Sequence, residues 1–238
     1  MKTKAVIFDK DGTLLDFAAF WLAVSERALD DLREVLQCLH VPQEELLTAL
    51  GIKGRIVDIE GVLCKGTYAQ MGQKIYQVLR DYGYEGTLSQ VIEVLLEGYH
   101  RNIGAGQIRP ACNHLLETLE RLREFGIKLA VVTTDEPDVT QKCLQTLGIT
   151  SCFDAVYTDD GKLPLKPDPY CIHEFCIKNR LSKSQVAMVG DTTTDIRFAR
   201  NGGIRAIGVI GNNANRSILA DEADAVIPDV SHIFEVLE

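Results

Sequence analysis

Short apolar runs rich in β-branched residues recur along the chain at 5–8, 128–133, 155–158, 186–189 and 204–210, with a weaker run at 225–228. Between most of them the apolar residues repeat at helical spacing instead. Leu115, Leu116, Leu119, Leu122 and Phe125 fit one helix over 112–125, and Gly126 stands where such a helix would stop. Pro137 suits the first position of a helix that would end near Gly148. Strands alternating with helices bury both faces of a sheet, so the pattern predicts an α/β fold: a Rossmann-like parallel sheet with helices on both faces. A chain of 238 residues is long enough for such a core and a second, smaller unit.

The alternation breaks between residues 16 and 104. That span carries long helical patterns over 17–39, 43–50, 68–82 and 88–102 and hardly any β-branched run, with the link 51–66 reading as a loop. The expected organisation is therefore a core of residues 1–15 and 105–238, interrupted after its first strand by an all-helical insert of residues 16–104. Gly104 and Gly106 flank the return and suit a hinge or a plain turn. No internal repeat, low-complexity tract or long charge run stands out.

Hydrophobic residues at 46% and charged residues at 25% fit a globular protein. The formal charge of -9, with no basic stripe, argues against nucleic acid as a partner. An anionic substrate would need that balance offset locally by a metal ion or a few placed cations. Seven cysteines without a Cys-x-x-Cys pair read as scattered reduced thiols rather than zinc ligands. The first apolar run is too short for a signal peptide, and no stretch is long enough to span a bilayer. Without a signal the Asn215-Arg-Ser217 acceptor pattern carries little meaning, and the expected location is cytoplasmic.

Four strand ends or pre-helix loops carry chemistry. Asp9 and Asp11 in Phe8-Asp9-Lys10-Asp11-Gly12-Thr13 leave the first strand where open sheets bind ligands. Two such carboxylates at ~4 Å repel by roughly 4 kcal/mol at an effective dielectric near 20, which invites a divalent cation or a proton; an ordinary Asp-Gly turn is the plain alternative. Thr133, followed by Thr134 and Asp135, ends a second strand and reads as a phosphate cradle or as a capping residue. Lys166 in Lys166-Pro167-Asp168-Pro169 would supply local positive charge, or be a solvated loop lysine. Gly190, read as freeing the turn, precedes Asp191, a metal-ligand candidate, while Asp195 falls in the first turn of the next helix and complements its dipole.

Taken in order, Asp9-Lys-Asp11-Gly-Thr, Thr133, Lys166-Pro and Gly190-Asp191-x-x-x-Asp195 resemble the four motifs of the haloacid dehalogenase superfamily of phosphohydrolases, in its phosphoglycolate phosphatase-like branch. The insert resembles that superfamily's α-helical cap. The resemblance implies a Mg²⁺-dependent phosphatase acting on a small phosphorylated metabolite such as phosphoglycolate or a sugar phosphate. It implies Asp9 as nucleophile and Asp11 as acid and then base. Mg²⁺ would be held by Asp9, Asp191 and the backbone carbonyl of Asp11. Thr133 with Thr134 would hold the phosphoryl oxygens, Lys166 would offset charge, and Asp195 would orient its neighbours. Lys53 and Arg55 are candidates for an anionic substrate tail, with a solvated surface the favoured reading. Asp11 speaks against a dehalogenase; a phosphomutase shares the four motifs and stays open, and a phosphorylatable signalling module is a more distant alternative.

Overall fold

The computed structural model describes residues 2–54, 56–58, 60–211 and 216–237, with Arg216 by its backbone alone. Arg55 and Asn215 lie outside the described residues. In chain order the elements are β1 (Ala5–Phe8), α1 (Phe17–Val35), α2 (Gln43–Ala49), β2 (Ile52–Lys53), β3 (Ile56–Val57), α3 (Val62–Lys65), α4 (Tyr68–Asp81) and α5 (Leu88–Asn102). They continue as α6 (Leu115–Glu124), β4 (Lys128–Val132), α7 (Pro137–Thr146), β5 (Ala155–Tyr157) and α8 (Tyr170–Asn179). The last are β6 (Val186–Gly190), α9 (Thr193–Gly202), β7 (Arg205–Val209), α10 (Arg216–Glu222) and β8 (Ala225–Ile227). The chain divides into two compact units, Met1–Asp16 with Ile108–Glu238, and Phe17–Gln107.

Every run read as a strand pairs into one sheet of order β5-β4-β1-β6-β7-β8, all of it parallel. The chain steps outward from β1 to β5, returns to the other side of β1, and steps outward again to β8. The order therefore reverses between β1 and β6, the point at which doubly wound sheets hold ligands. Because side chains alternate along a strand, Val6, Phe8, Leu129, Val131, Ala187, Val189, Ile207 and Val209 share one face with Leu115, Leu119 and Leu122 of α6 and Leu144 of α7. Their neighbours Ala5, Ile7, Ala130, Met188 and Ala206 are equally buried on the opposite face, and α9 packs on β6 and β7.

One local repeat escapes the sequence pattern. Arg123-Glu-Phe-Gly126-Ile127-Lys128 and Arg200-Asn-Gly-Gly203-Ile204-Arg205 each carry a helix end into a strand, through a glycine at φ +74° and +68°. Arg123 donates to Cys152 O (2.8 Å) and Asp154 (3.3 Å), and Arg200 donates to Glu222 O (3.0 Å) and Asp224 (2.7 Å). Asp154 exchanges two hydrogen bonds with the backbone of Leu129, and Asp224 does the same with Ala206. The same device thus docks both edge strands, β5 and β8. Arg-to-Asp separations differ between the two copies, so no fixed period betrays them.

In the unit Phe17–Gln107, α1 and α4 both pack on α5, and a buried Ser25–Tyr99 hydrogen bond of 2.7 Å links α1 to α5. Thr67 with Gln70 and Thr87 with Gln90 form capping boxes that start α4 and α5 where the sequence places them. Four details differ from the sequence reading. α1 stops at Val35 because Gln37 turns to φ 55°. α6 starts at Leu115 because His114, at φ 61°, precedes it. The link 51–66 holds the antiparallel pair β2–β3 and the single turn α3, elements too short to show a period. Gly106 has an ordinary φ of -63°, and a Cβ there would sit 2.5 Å from the Phe20 ring, so it makes room rather than supplying a hinge conformation. Among the described residues, no helix is long and apolar enough to cross a membrane.

Candidate active site

β1 runs out at Phe8, and the Asp9 N–H still donates to Val189 O at 2.9 Å, so the sheet itself orients Asp9. A tight turn follows: Leu14 and Leu15 N–H donate to Lys10 O, and Gly12 N–H donates to Leu15 O. Gly12 takes φ +80°, and a Cβ there would lie 2.1 Å from Asp191 Oδ2, so only glycine lets this turn pass Asp191. Asp191 leaves β6 next to β1, as the sequence predicts. Gly190 does not free a turn, since it ends β6 in register; a Cβ there would sit 2.4 Å from Asp195 Cβ, and the glycine is space for that side chain. Asp195 Oδ2 accepts from Thr192 N (3.1 Å) and Oγ1 (2.7 Å) in a capping box, which fits its expected place at the helix start. Its other oxygen accepts from Lys166 Nζ at 2.7 Å, and Lys166 also donates to Asp9 Oδ1 at 2.5 Å. Lys166 is therefore no solvated loop lysine. Asp9, Asp191 and Asp195 are all buried, with one oxygen of each lying within 4.8 Å of the others.

Thr133 follows β4; its N–H donates to Tyr157 O (3.0 Å) and its hydroxyl accepts from Asp135 N–H (3.2 Å). It does not cap α7, whose N-cap is Glu136. Thr134 is exposed on the same turn, and Lys53 is exposed on β2. The Asp11 carboxylate turns to Lys10, whose Nζ lies 2.6 Å from Asp11 Oδ2 and 2.9 Å from Asp135 Oδ2. Lys10 and Asp135 fall inside the motifs read from the sequence, but that reading gives neither of them a role. The available signal was a lysine set directly after a buried strand between two acids, a place that demands an ionic partner if the side chain turns inward.

The model of haloacid dehalogenase-like hydrolases matches residues 6–209. The chain belongs to that family. A phosphoglycolate phosphatase of Vibrio parahaemolyticus is 27% identical over 235 residues, covering 98% of this chain and 96% of that protein. The crystal structure of a predicted phosphoglycolate phosphatase from Haemophilus somnus 129pt superposes with a TM-score of 0.76 at 24% identity, over 100% of this chain and 99% of that one. A HAD-hydrolase of Bacillus subtilis bound to magnesium superposes with a TM-score of 0.67 at 16% identity, over 100% and 99% of the two chains. At these identities the two structures speak for the fold. Kinship puts the chain in the phosphoglycolate phosphatase-like branch of the family.

The electrostatics of this haloacid dehalogenase-like hydrolase centre on three buried carboxylates, two of which, Asp9 and Asp195, share one ammonium. Burial, with Asp195 and Asp11 adding repulsion, pushes Asp9 up to about 7 although Lys166 opposes the rise. Asp191 is pushed well above the usual carboxylate range, first by burial and then by Asp9 and Asp195. Burial alone would pull the Lys166 ammonium down, and Asp195 and Asp9 more than reverse it. Burial and Asp11 push Asp135 up to about 6, with Lys10 holding it back. Asp191 Oδ1 is buried without a hydrogen-bond partner among the described residues. Crowded carboxylate oxygens short of positive charge, one of them unsatisfied, are the donor set a hard divalent cation such as Mg²⁺ takes.

Proposed function

We propose that this hydrolase cleaves the phosphate monoester of a small phosphorylated metabolite, of the phosphoglycolate or sugar phosphate kind, through an aspartyl-phosphate on Asp9 and with Mg²⁺. That it is a phosphoric monoester hydrolase rests on its family and its phosphoglycolate phosphatase relatives. The observation that carries the finer reading is Asp9, held at the switch point of the sheet against Lys166 with Asp191 and Asp195 beside it. We assign residues 1–15 and 105–238 to the catalytic core and residues 16–104 to an α-helical cap.

Asp9 attacks phosphorus, which splits one hard displacement into two easier ones. Asp11 gives a proton to the leaving oxygen and then takes one from the water that releases phosphate. Thr133, Thr134 and neighbouring amides hold the phosphoryl oxygens, and Lys166 offsets the charge on Asp9 and the phosphoryl group. Asp195 keeps Lys166 aimed at Asp9 through its own hydrogen bond. The carboxylates of Asp9 and Asp191 and the backbone carbonyl of Asp11 would hold Mg²⁺. When bound, it would neutralise charge among the carboxylates and the phosphoryl oxygens.

The test is phosphate release from a panel of phosphorylated metabolites with Mg²⁺, run beside Asp9→Asn. Release should fall by more than about a thousandfold in the variant. Activity that survives the substitution removes Asp9 as the nucleophile, and isomer formation in place of release favours the phosphomutase.

A further inference from the structure

We propose that Lys10 and Asp135 are positioning residues for Asp11, fixing the carboxyl group that gives its proton to the leaving group. The inference rests on the phosphatase reading above and names residues to which that reading gives no role. Lys10 has no exposed surface, yet it sits in the turn between the nucleophile and the acid. Burying an ammonium is costly unless it is paired, and an apolar side chain would fill the same space without that cost. The pairing is specific. Asp9 is held by Lys166, whereas Lys10 Nζ lies 2.6 Å from Asp11 and 2.9 Å from Asp135. Each of the two acids in Asp9-Lys-Asp11 therefore has its own lysine, and the two lysines come from different segments.

Asp135 also explains where the tether leads. It stands in the turn after β4, and its N–H donates to the Thr133 hydroxyl at 3.2 Å. The ion pairs from Asp11 through Lys10 to Asp135 thus tie the acid to the turn proposed to hold the phosphoryl oxygens. An acid placed in register with that turn meets the leaving oxygen at a fixed position, and misplacement by about 1 Å costs a proton transfer on the order of a hundredfold.

Leaving-group dependence separates this role from a merely structural ion pair. A general acid matters for an alkyl phosphate, whose alkoxide leaves poorly, and little for p-nitrophenyl phosphate, whose nitrophenolate leaves without a proton. The comparison is made in kcat/KM, which covers the steps up to transfer onto Asp9 and omits the later hydrolysis common to both esters. The alkyl substrate is the best one found in the metabolite panel. Lys10→Met should lower kcat/KM for it by about a hundredfold and for p-nitrophenyl phosphate by less than about threefold. Asp135→Asn should shift the ratio in the same direction, and the double variant should be no worse than Lys10→Met alone, because both act through one chain of contacts. Asp135→Asn, nearly unchanged in shape, decides the matter if Lys10→Met does not fold. Equal losses on both esters in folded variants, or an unchanged ratio, would overturn the proposal. A wild-type enzyme that hydrolyses neither ester would instead remove the phosphatase reading on which it rests.

Discussion

Gly190 and Gly208 face each other in the register of β6 and β7, yet a methyl group added to each meets different surroundings. At Gly190 it would lie 2.4 Å from Asp195 Cβ and Cγ, which cannot be accommodated unless Asp195 moves. At Gly208 the nearest atoms stand 3.4 to 3.6 Å away, ordinary contact distance. Asp195 is one of the two carboxylates that hold Lys166, so displacing it loosens the ammonium beside Asp9. Gly190→Ala should cost about 1–3 kcal/mol, as overpacking does, and lower phosphate release by about tenfold or more. Gly208→Ala should stay within about 1 kcal/mol of the wild type and keep its activity, since the added methyl also restricts the unfolded chain. Urea unfolding and phosphate release on both variants check the contrast; similar behaviour of the two would mean that the space beside Asp195 is not what Gly190 provides.

Both edge strands are only three residues long, and each is docked by an aspartate just before it begins. The Asp154 carboxylate accepts from Leu129 N–H (2.9 Å) and Lys128 Nζ (2.8 Å). Burial works against the charge on Asp154, but Lys128, the Leu129 N–H and Arg123 outweigh it and hold the carboxyl below its usual value of 3.8. Asp224 is lowered in the same way, against burial, by Ala206 N–H and Arg200. A carboxyl lowered by folding stabilises the fold above its unfolded value, and that contribution is lost as pH falls through the folded one. Asp154→Asn and Asp224→Asn should therefore each cost about 1 kcal/mol at pH 7, a partly exposed charge being worth less than a buried one. The gap to the wild type should narrow only below about pH 4, and the double variant should show the sum, because the two sites lie at opposite edges of the sheet. Denaturant unfolding at pH 7 and pH 3.5 measures both points. The strands themselves were legible because burial on both faces leaves unbroken apolar runs. The docking device was not, because it joins residues 31 apart in one copy and 24 apart in the other, by hydrogen bonds that leave no hydrophobic period.

Much of the candidate site was legible for a reason that belongs to the whole sheet: the parallel order gathers strand ends, so Asp9, Thr133 and Asp191 could be read from where their strands stop. Lys10 and Asp135 were not, since a charged residue in a turn reads as solvated until its burial is known. The gathered carboxylates would make the proposed cation a partner of the entire core rather than of one loop. Asp9 rises from 3.8 to about 7 on burial without a cation, so between those pH values the folded chain keeps a proton that the unfolded chain has released. Stability without magnesium should accordingly fall as pH rises from about 4 to 7, the opposite sign to Asp154 and Asp224. A cation that binds the folded state alone adds about 2.7 kcal/mol at a hundred times its Kd, and it competes with the protons on its ligands. The rise in Tm on adding Mg²⁺, relative to EDTA, should thus be larger at pH 8 than at pH 5.5. Asp191→Asn should lose most of that rise at both pH values, since its buried Oδ1 has no hydrogen-bond partner among the described residues and so is open to a cation. A magnesium shift that is equal at the two pH values, or that survives Asp191→Asn, would mean that the cation binds elsewhere.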